Sequence, residues 1–170
     1  MELKGTGFTL RGWKYGDETA LQRHANNPNV SACLMDRFPY PYTMEDAVDW
    51  VIYLVGQELL INFAIAIDNK AVGGIGLDPR EDVYHKTAIL GYWLSEELWG
   101  RGIMPEAVKL ITNYAFTQLD FIRLQASVYS KNPASMRVLE KAGFIKEGIM
   151  RNAVIKNGEV MDEHLYAILK

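Results

Sequence analysis

Gly100-Arg101-Gly102 stands between a segment patterned as a strand, residues 87–95, and one patterned as a helix, in which Ala107, Leu110, Ile111, Tyr114 and Ala115 share a face. A glycine turn between a strand and a helix gathers unpaired backbone N–H groups at the positive end of the helix dipole, which suits a phosphate or pyrophosphate. Arg101 adds a positive charge, and Pro105 is tolerated in the first helical turn. The same two glycines serve equally to make a tight turn and nothing more. Other phosphate signatures are missing. Gly74-Ile75-Gly76 has Pro79 where a dinucleotide fingerprint needs its third glycine, and no Gly-Lys-Ser/Thr loop occurs. His24 lies among apolar helix positions, and His85 and His164 lack a ligand spacing, so all three read as structural and no metal is expected. Cys33 is the only cysteine, has nothing near it in sequence to lower its pKa, and reads as inert.

The remaining elements form a frame for that turn. Residues 8–11 alternate as a short strand, and Asp17 offers an N-cap to a helix carrying Ala20, Leu21, His24 and Ala25 on one face before Asn27-Pro28 stops it. Residues 30–42 hold three aromatics and two prolines without a period and read as a loop of the kind that carries specificity. Thr43 and Asp46 form a capping-box pattern for a helix whose apolar positions are Ala47, Trp50, Val51, Leu54 and Val55. Residues 61–67 and 71–77 read as a hairpin, and residues 87–95 as a central strand covered on both faces. Residues 122–129 alternate as another strand, Asn132-Pro133 opens a helix closed by Gly143, and Asn157-Gly158 joins the last two strands. The resulting order, β-α-α-β-β-β-α-β-α-β-β, is that of a mixed α/β sheet with helices on its faces.

Composition bounds the function. At 170 residues, 49% hydrophobic and 23% charged, the chain has the size and apolar content of one globular domain, residues 1–170. No apolar run approaches the roughly 20 residues of a membrane span, and the first fifteen residues do not resemble a signal peptide, so cytoplasmic residence is expected. The net charge of -3 lacks the footprint of a general nucleic-acid binder, leaving small-molecule or peptide partners.

Taken together and in order, Gly91-Tyr92-Trp93-Leu94, Trp99-Gly100-Arg101-Gly102-Ile103, Glu106-Ala107, Asn132-Pro133-Ala134-Ser135, Glu140-Lys141-Ala142-Gly143-Phe144 and Glu147-Gly148 resemble the GNAT (Gcn5-related) N-acetyltransferases. The likeness is greatest to the ribosomal-protein alanine/serine (RimJ/RimL-like) branch. It covers nearly the whole chain and is most specific over residues 87–148. It implies an α/β GNAT fold: a mixed, mostly antiparallel sheet of about seven strands with helices on both faces and the fourth and fifth strands, residues 87–95 and 122–129, splayed apart for the pantetheine arm of acetyl-CoA.

By motif match, the backbone of Tyr92, Trp93 and Leu94 would face the pantetheine and thioester, and Gly100, Arg101, Gly102, Ile103, Met104 and Pro105 would hold the pyrophosphate, with Asn132 also contacting the cosubstrate. Trp99 departs from the usual Gln or Arg in a way this branch accepts, and Met104 stands where a small residue is usual and would crowd the phosphates. The implied activity is transfer of an acetyl group from acetyl-CoA to a primary amine, either a peptide or protein N-terminal α-amine or a small-molecule amine, by direct attack in a ternary complex. The Leu94 N–H would stabilise the oxyanion, and Ser135 would serve the departing sulfur, taking the part that a tyrosine at the position of Leu139 plays in many relatives. Ser135 in the first turn of a helix would equally bond the backbone. The branch carries a Glu where Val154 stands; Asp36, Glu97, Asp162 and Glu163 are conceivable replacements, and none is assigned as base. Acceptor choice falls to residues 30–42, with Asp36, Phe38 and Tyr40 as substrate-binding residues. The resemblance also admits a homodimer, and a non-catalytic acyl-CoA sensor is the alternative from a different class.

Overall fold

In the computed structural model, which describes residues 1–170, the strands are β1 (Glu2–Gly5), β2 (Phe8–Gly12), β3 (Asn62–Ile67), β4 (Lys70–Pro79), β5 (Thr87–Leu94), β6 (Arg123–Tyr129), β7 (Ile145–Lys156) and β8 (Glu159–Leu169). The helices are α1 (Glu18–Ala25), α2 (Pro28–Ser31), α3 (Met44–Val55), α4 (Ile103–Gln118) and α5 (Pro133–Lys141). The strands form one mixed sheet in the order β1-β2-β3-β4-β5-β6-β8-β7. The eighth strand, absent from the sequence reading, is β1. It pairs antiparallel with β2 from Glu2–Arg11 to Gly5–Phe8 around a Thr6-Gly7 turn, and Leu3 is the only large apolar residue in it. A ladder held by backbone bonds at a sheet edge leaves little periodic signal. No helix is long and apolar enough to cross a membrane.

The chain divides into two compact units, Met1–Gly76 with Tyr92–Ile103, and Leu77–Gly91 with Met104–Lys170. In the first, β2 to β4 form an antiparallel ladder, and Trp13, Leu21, Ala25, Tyr42, Ala47, Val51 and Leu54 pack with Ala64 and Ala71. The capping box of α3 is complete: the Asp46 N–H donates to Thr43 Oγ1 at 3.1 Å, and the Thr43 N–H donates to the Asp46 carboxylate at 2.7 Å. Trp50 is 39% exposed rather than core, because Ala47, Val51 and Leu54 already complete the buried stripe of α3. Asp17 stands at the N-cap of α1 but does not cap it. Its carboxylate instead takes two bonds from the buried Arg11 guanidinium, at 2.7 and 2.8 Å, and one from the Lys14 N–H.

In the second unit β5 pairs in parallel with β6 over only three residues, Thr87–Arg123, Ala88–Leu124 and Ile89–Gln125, although both strands continue beyond. The β6–β8 and β8–β7 ladders are antiparallel. The core includes Val108, Ile111, Leu124, Leu139 and Tyr166. Strand β5 is central in the order but is not covered on both faces, since Ile89 is 36% exposed where the ladder with β6 ends.

Because Arg11 and Asp17 are both buried, Asp17→Asn leaves an uncompensated guanidinium and should cost about 3–5 kcal/mol of stability. Urea unfolding measures this, and Arg11→Met in the same background should recover much of the loss.

Candidate active site

The end of β5 is positioned by two glycines of β4. A Cβ on Gly73 would lie 2.6 Å from the Trp93 carbonyl oxygen, and one on Gly74 would lie 2.8 Å from Trp93 Nε1, so only glycine admits the backbone and indole of Trp93 this closely. The Ser95 N–H donates to the Val72 carbonyl at 2.8 Å, which fixes that amide on the β4 edge. Successive amides of a strand point to opposite edges, so the Leu94 N–H faces away from β4. The Leu94 carbonyl on that same edge accepts a bond from Trp99 Nε1 at 2.9 Å. Trp99, the departure noted in the motif, thus staples the turn that follows.

That turn is anchored from α1 and α2. His24 Nδ1 lies 2.9 Å from Ser95 Oγ and 3.5 Å from Glu97 Oε1. The side-chain amides of Asn27 and Asn29 donate to the two oxygens of Glu96 at 2.7 and 2.9 Å. Burial holds the His24 pKa below its ordinary value; Glu97 partly opposes this and Arg23 adds to it. Gly100 and Gly102 have φ of +77° and +79°, and a Cβ on either would meet nothing within 4 Å. The backbone therefore adopts a conformation suited to glycine while the space above it is open, which is the form of an anion cradle ahead of the sixteen-residue α4.

The sequence-selected residues fall into both units. Tyr92, Trp93, Leu94, Gly100, Arg101, Gly102, Ile103, Asp36, Phe38 and Tyr40 lie in the first. There Phe38 packs on Trp93 with ring centroids 5.5 Å apart and on Tyr42 at 5.0 Å, so loop 30–42 meets the end of β5. Tyr40 and Asp36 are exposed on the same loop. Met104, Pro105, Asn132 and Ser135 lie in the second unit. The Met104 side chain is 7% exposed, so the crowding expected of it does not arise, because the thioether packs in the core. Asn132 Oδ1 accepts the Ser135 N–H at 3.2 Å and so caps α5, with Ser135 half-buried in the first turn. Leu139 is fully buried in the core.

Residues 8–145 match the acetyltransferase (GNAT) domain. The chain belongs to the GNAT acetyltransferase family. It is 45% identical over 113 residues to the probable N-acetyltransferase YjcK of Bacillus subtilis (strain 168), a match that covers 66% of this chain and spans 62% of YjcK. It is 31% identical to YnaD, an uncharacterised N-acetyltransferase of the same organism, over 100% of this chain and 98% of YnaD. Among solved structures, RimL, a ribosomal-protein α-N-acetyltransferase in complex with coenzyme A, superposes with a TM-score of 0.84 at 25% identity over 99% of this chain and 98% of RimL.

Within this GNAT domain several motif residues have structural duties. Glu140 accepts a bond from the buried Tyr166 hydroxyl at 3.0 Å, Gly143 closes α5 with φ of +95°, and Glu147 is gripped by both terminal nitrogens of Arg123. Ser95, Asn27, Asn29 and Glu96, which hold the turn, were not visible in the sequence because no local pattern links residues nearly seventy apart. Glu97, one of the carboxylates considered as a base, sits beside His24.

Since the folded state holds the His24 pKa low, protonation favours unfolding, and stability is lost as the pH falls below about 6.5. Thermal melts at about pH 7.5 and about pH 5.5 should differ less in His24→Gln than in the wild type.

Proposed function

We propose that residues 1–170 act as one catalytic domain that transfers the acetyl group of acetyl-CoA to a primary amine by direct attack in a ternary complex. The observation that carries this is the pair of positive-φ glycines, Gly100 and Gly102, open to solvent ahead of α4 and stapled through Trp99 to the end of β5. The backbone N–H groups of residues 100–105 would hold the pyrophosphate, with Arg101 adding charge, and the edges of Tyr92, Trp93 and Leu94 would accept the pantetheine as an added strand. Bound there, acetyl-CoA supplies an activated acyl carbon with a thiolate leaving group. RimL's solution in complex with coenzyme A supports the choice of donor.

In the reaction the amine nitrogen bonds to the acyl carbon, the carbon–sulfur bond breaks, the amine gives up a proton to water, and the sulfur leaves with the electron pair. The Leu94 N–H, aimed away from β4, donates to the carbonyl oxygen as negative charge grows there, a contribution typically worth about 10²–10³ in rate. The Ser135 hydroxyl donates to the departing sulfur. Acceptor choice belongs to loop 30–42 through Asp36, Phe38 and Tyr40, because a cosubstrate held by main chain does not discriminate amines. RimL acetylates the α-amine of a ribosomal protein, and a peptide N-terminus or a small amine is the class of acceptor assigned to this chain.

Coenzyme A should raise the melting temperature of the wild type, and Gly102→Val should abolish that rise while destabilising the free protein by only about 1–2 kcal/mol of backbone strain. Release of thiol from acetyl-CoA with an amine panel separates an enzyme from a sensor, which binds without turnover. Ser135→Ala should lower kcat by about 10 to 10²-fold and leave coenzyme A affinity unchanged; an unaltered kcat would remove Ser135 from the reaction. Asp36→Ala and Tyr40→Ala should raise KM for the acceptor while keeping acetyl-CoA affinity within about twofold.

A further inference from the structure

Loop 30–42 and α3 form the walls of an open concavity of about 470 Å³, a volume within the usual range of small-molecule sites. The loop contributes Arg37 and Tyr42 to its walls, and α3 contributes Asp46, Asp49, Trp50 and Tyr53. Trp50 holds a helical position that the apolar period assigns to the core, yet it lies on the surface with its ring 5.8 Å from that of Tyr53, which is 59% exposed. Two large rings kept side by side in water offer their π-faces to a ligand.

The charge of the walls gives the sign of that ligand. Asp46 and Asp49 are one helical turn apart and face the same groove, against a single guanidinium from Arg37. Hydrogen bonds from the Thr43 hydroxyl and N–H hold the Asp46 carboxyl below its ordinary pKa, so it stays ionised. No ion pair engages Asp49. The Tyr42 hydroxyl is pushed up to about 12 by burial and by Asp46, so it remains neutral.

The groove is joined to the end of β5 by aromatic contact. Tyr42 packs on Phe38 at 5.0 Å, and Phe38 packs on Trp93 at 5.5 Å, next in the chain to Leu94. We infer that this groove is an acceptor subsite for a second positive charge, an ammonium or guanidinium carried by the same molecule as the amine that is acetylated. The cation sits over Trp50 and Tyr53 and faces Asp49 and Asp46. This rests on the acetyl-transfer reading above, and it narrows the acceptor to an elongated dication, whether a polyamine or a peptide with a basic side chain near its N-terminus.

The test compares 1,8-diaminooctane with octylamine, and a lysine-containing peptide with its norleucine counterpart, in the wild type, Asp49→Asn and Trp50→Ala, with retained coenzyme A binding reporting that each variant is folded. In the wild type the KM for at least one dication should lie about tenfold below that of its monocationic counterpart, and both variants should collapse that ratio towards one. Whichever pair shows the ratio identifies the source of the cation. No preference in the wild type, or a preference that survives both substitutions, overturns the subsite. Calorimetric titration of 1,8-diaminooctane and of the lysine-containing peptide into the coenzyme A complex separates the two levels of the proposal. Binding lost in Asp49→Asn without any turnover in the wild type would retain the cation groove and reject the transfer reaction. Binding equal in wild type and variant, or absent from both, would reject the groove whatever the activity.

Discussion

The close approach of β4 to the end of β5 is the constraint on which the site depends. Gly73 and Gly74 lack the Cβ atoms that would strike Trp93, and the Ser95–Val72 bond then pins one edge of the strand. With that edge taken, the alternation of amide directions turns the Leu94 N–H to the other edge, and the β5–β6 ladder has already stopped at Ile89. An unladdered strand edge is ordinarily a liability, open to any extended chain.

The turn after that strand is held by polar rather than apolar contacts. His24, Asn27 and Asn29 reach Ser95, Glu97 and Glu96 from α1 and α2, and the Trp99 indole reaches back to Leu94. Directional bonds of this kind set orientation as well as distance, which apolar packing does less sharply. The glycines at 100 and 102 can therefore leave the space above them empty without the loop depending on side-chain packing for its shape.

Around loop 30–42 and α3 the aromatic residues divide their work. Phe38 and Tyr42 are turned inward and tie loop 30–42 to Trp93, while Trp50 and Tyr53 are turned outward with two carboxylates beside them. The capping box serves both purposes at once, since the Thr43 bonds that start α3 also keep Asp46 charged.

Much was determined by the sequence alone. The GNAT motifs, the Gly100–Gly102 turn, the Thr43–Asp46 capping box and seven of the eight strands are local patterns, in which a few neighbouring residues specify backbone conformation whatever surrounds them. Tertiary structure decided the rest. Asp17 had the form of a helix cap, but a buried Arg11 needs a counter-charge more than a helix end, which water can also serve, needs a cap. Trp50 had the period of a core residue, and only the packing of α3 showed that Ala47, Val51 and Leu54 already filled that stripe. Gly73 and Gly74 carried no meaning until Trp93, twenty residues away, was brought against them. The partners of Ser95 and Glu96 likewise lie on α1 and in the first turn after it, and hydrogen bonds across such separations leave no trace in spacing because only the fold makes the residues neighbours.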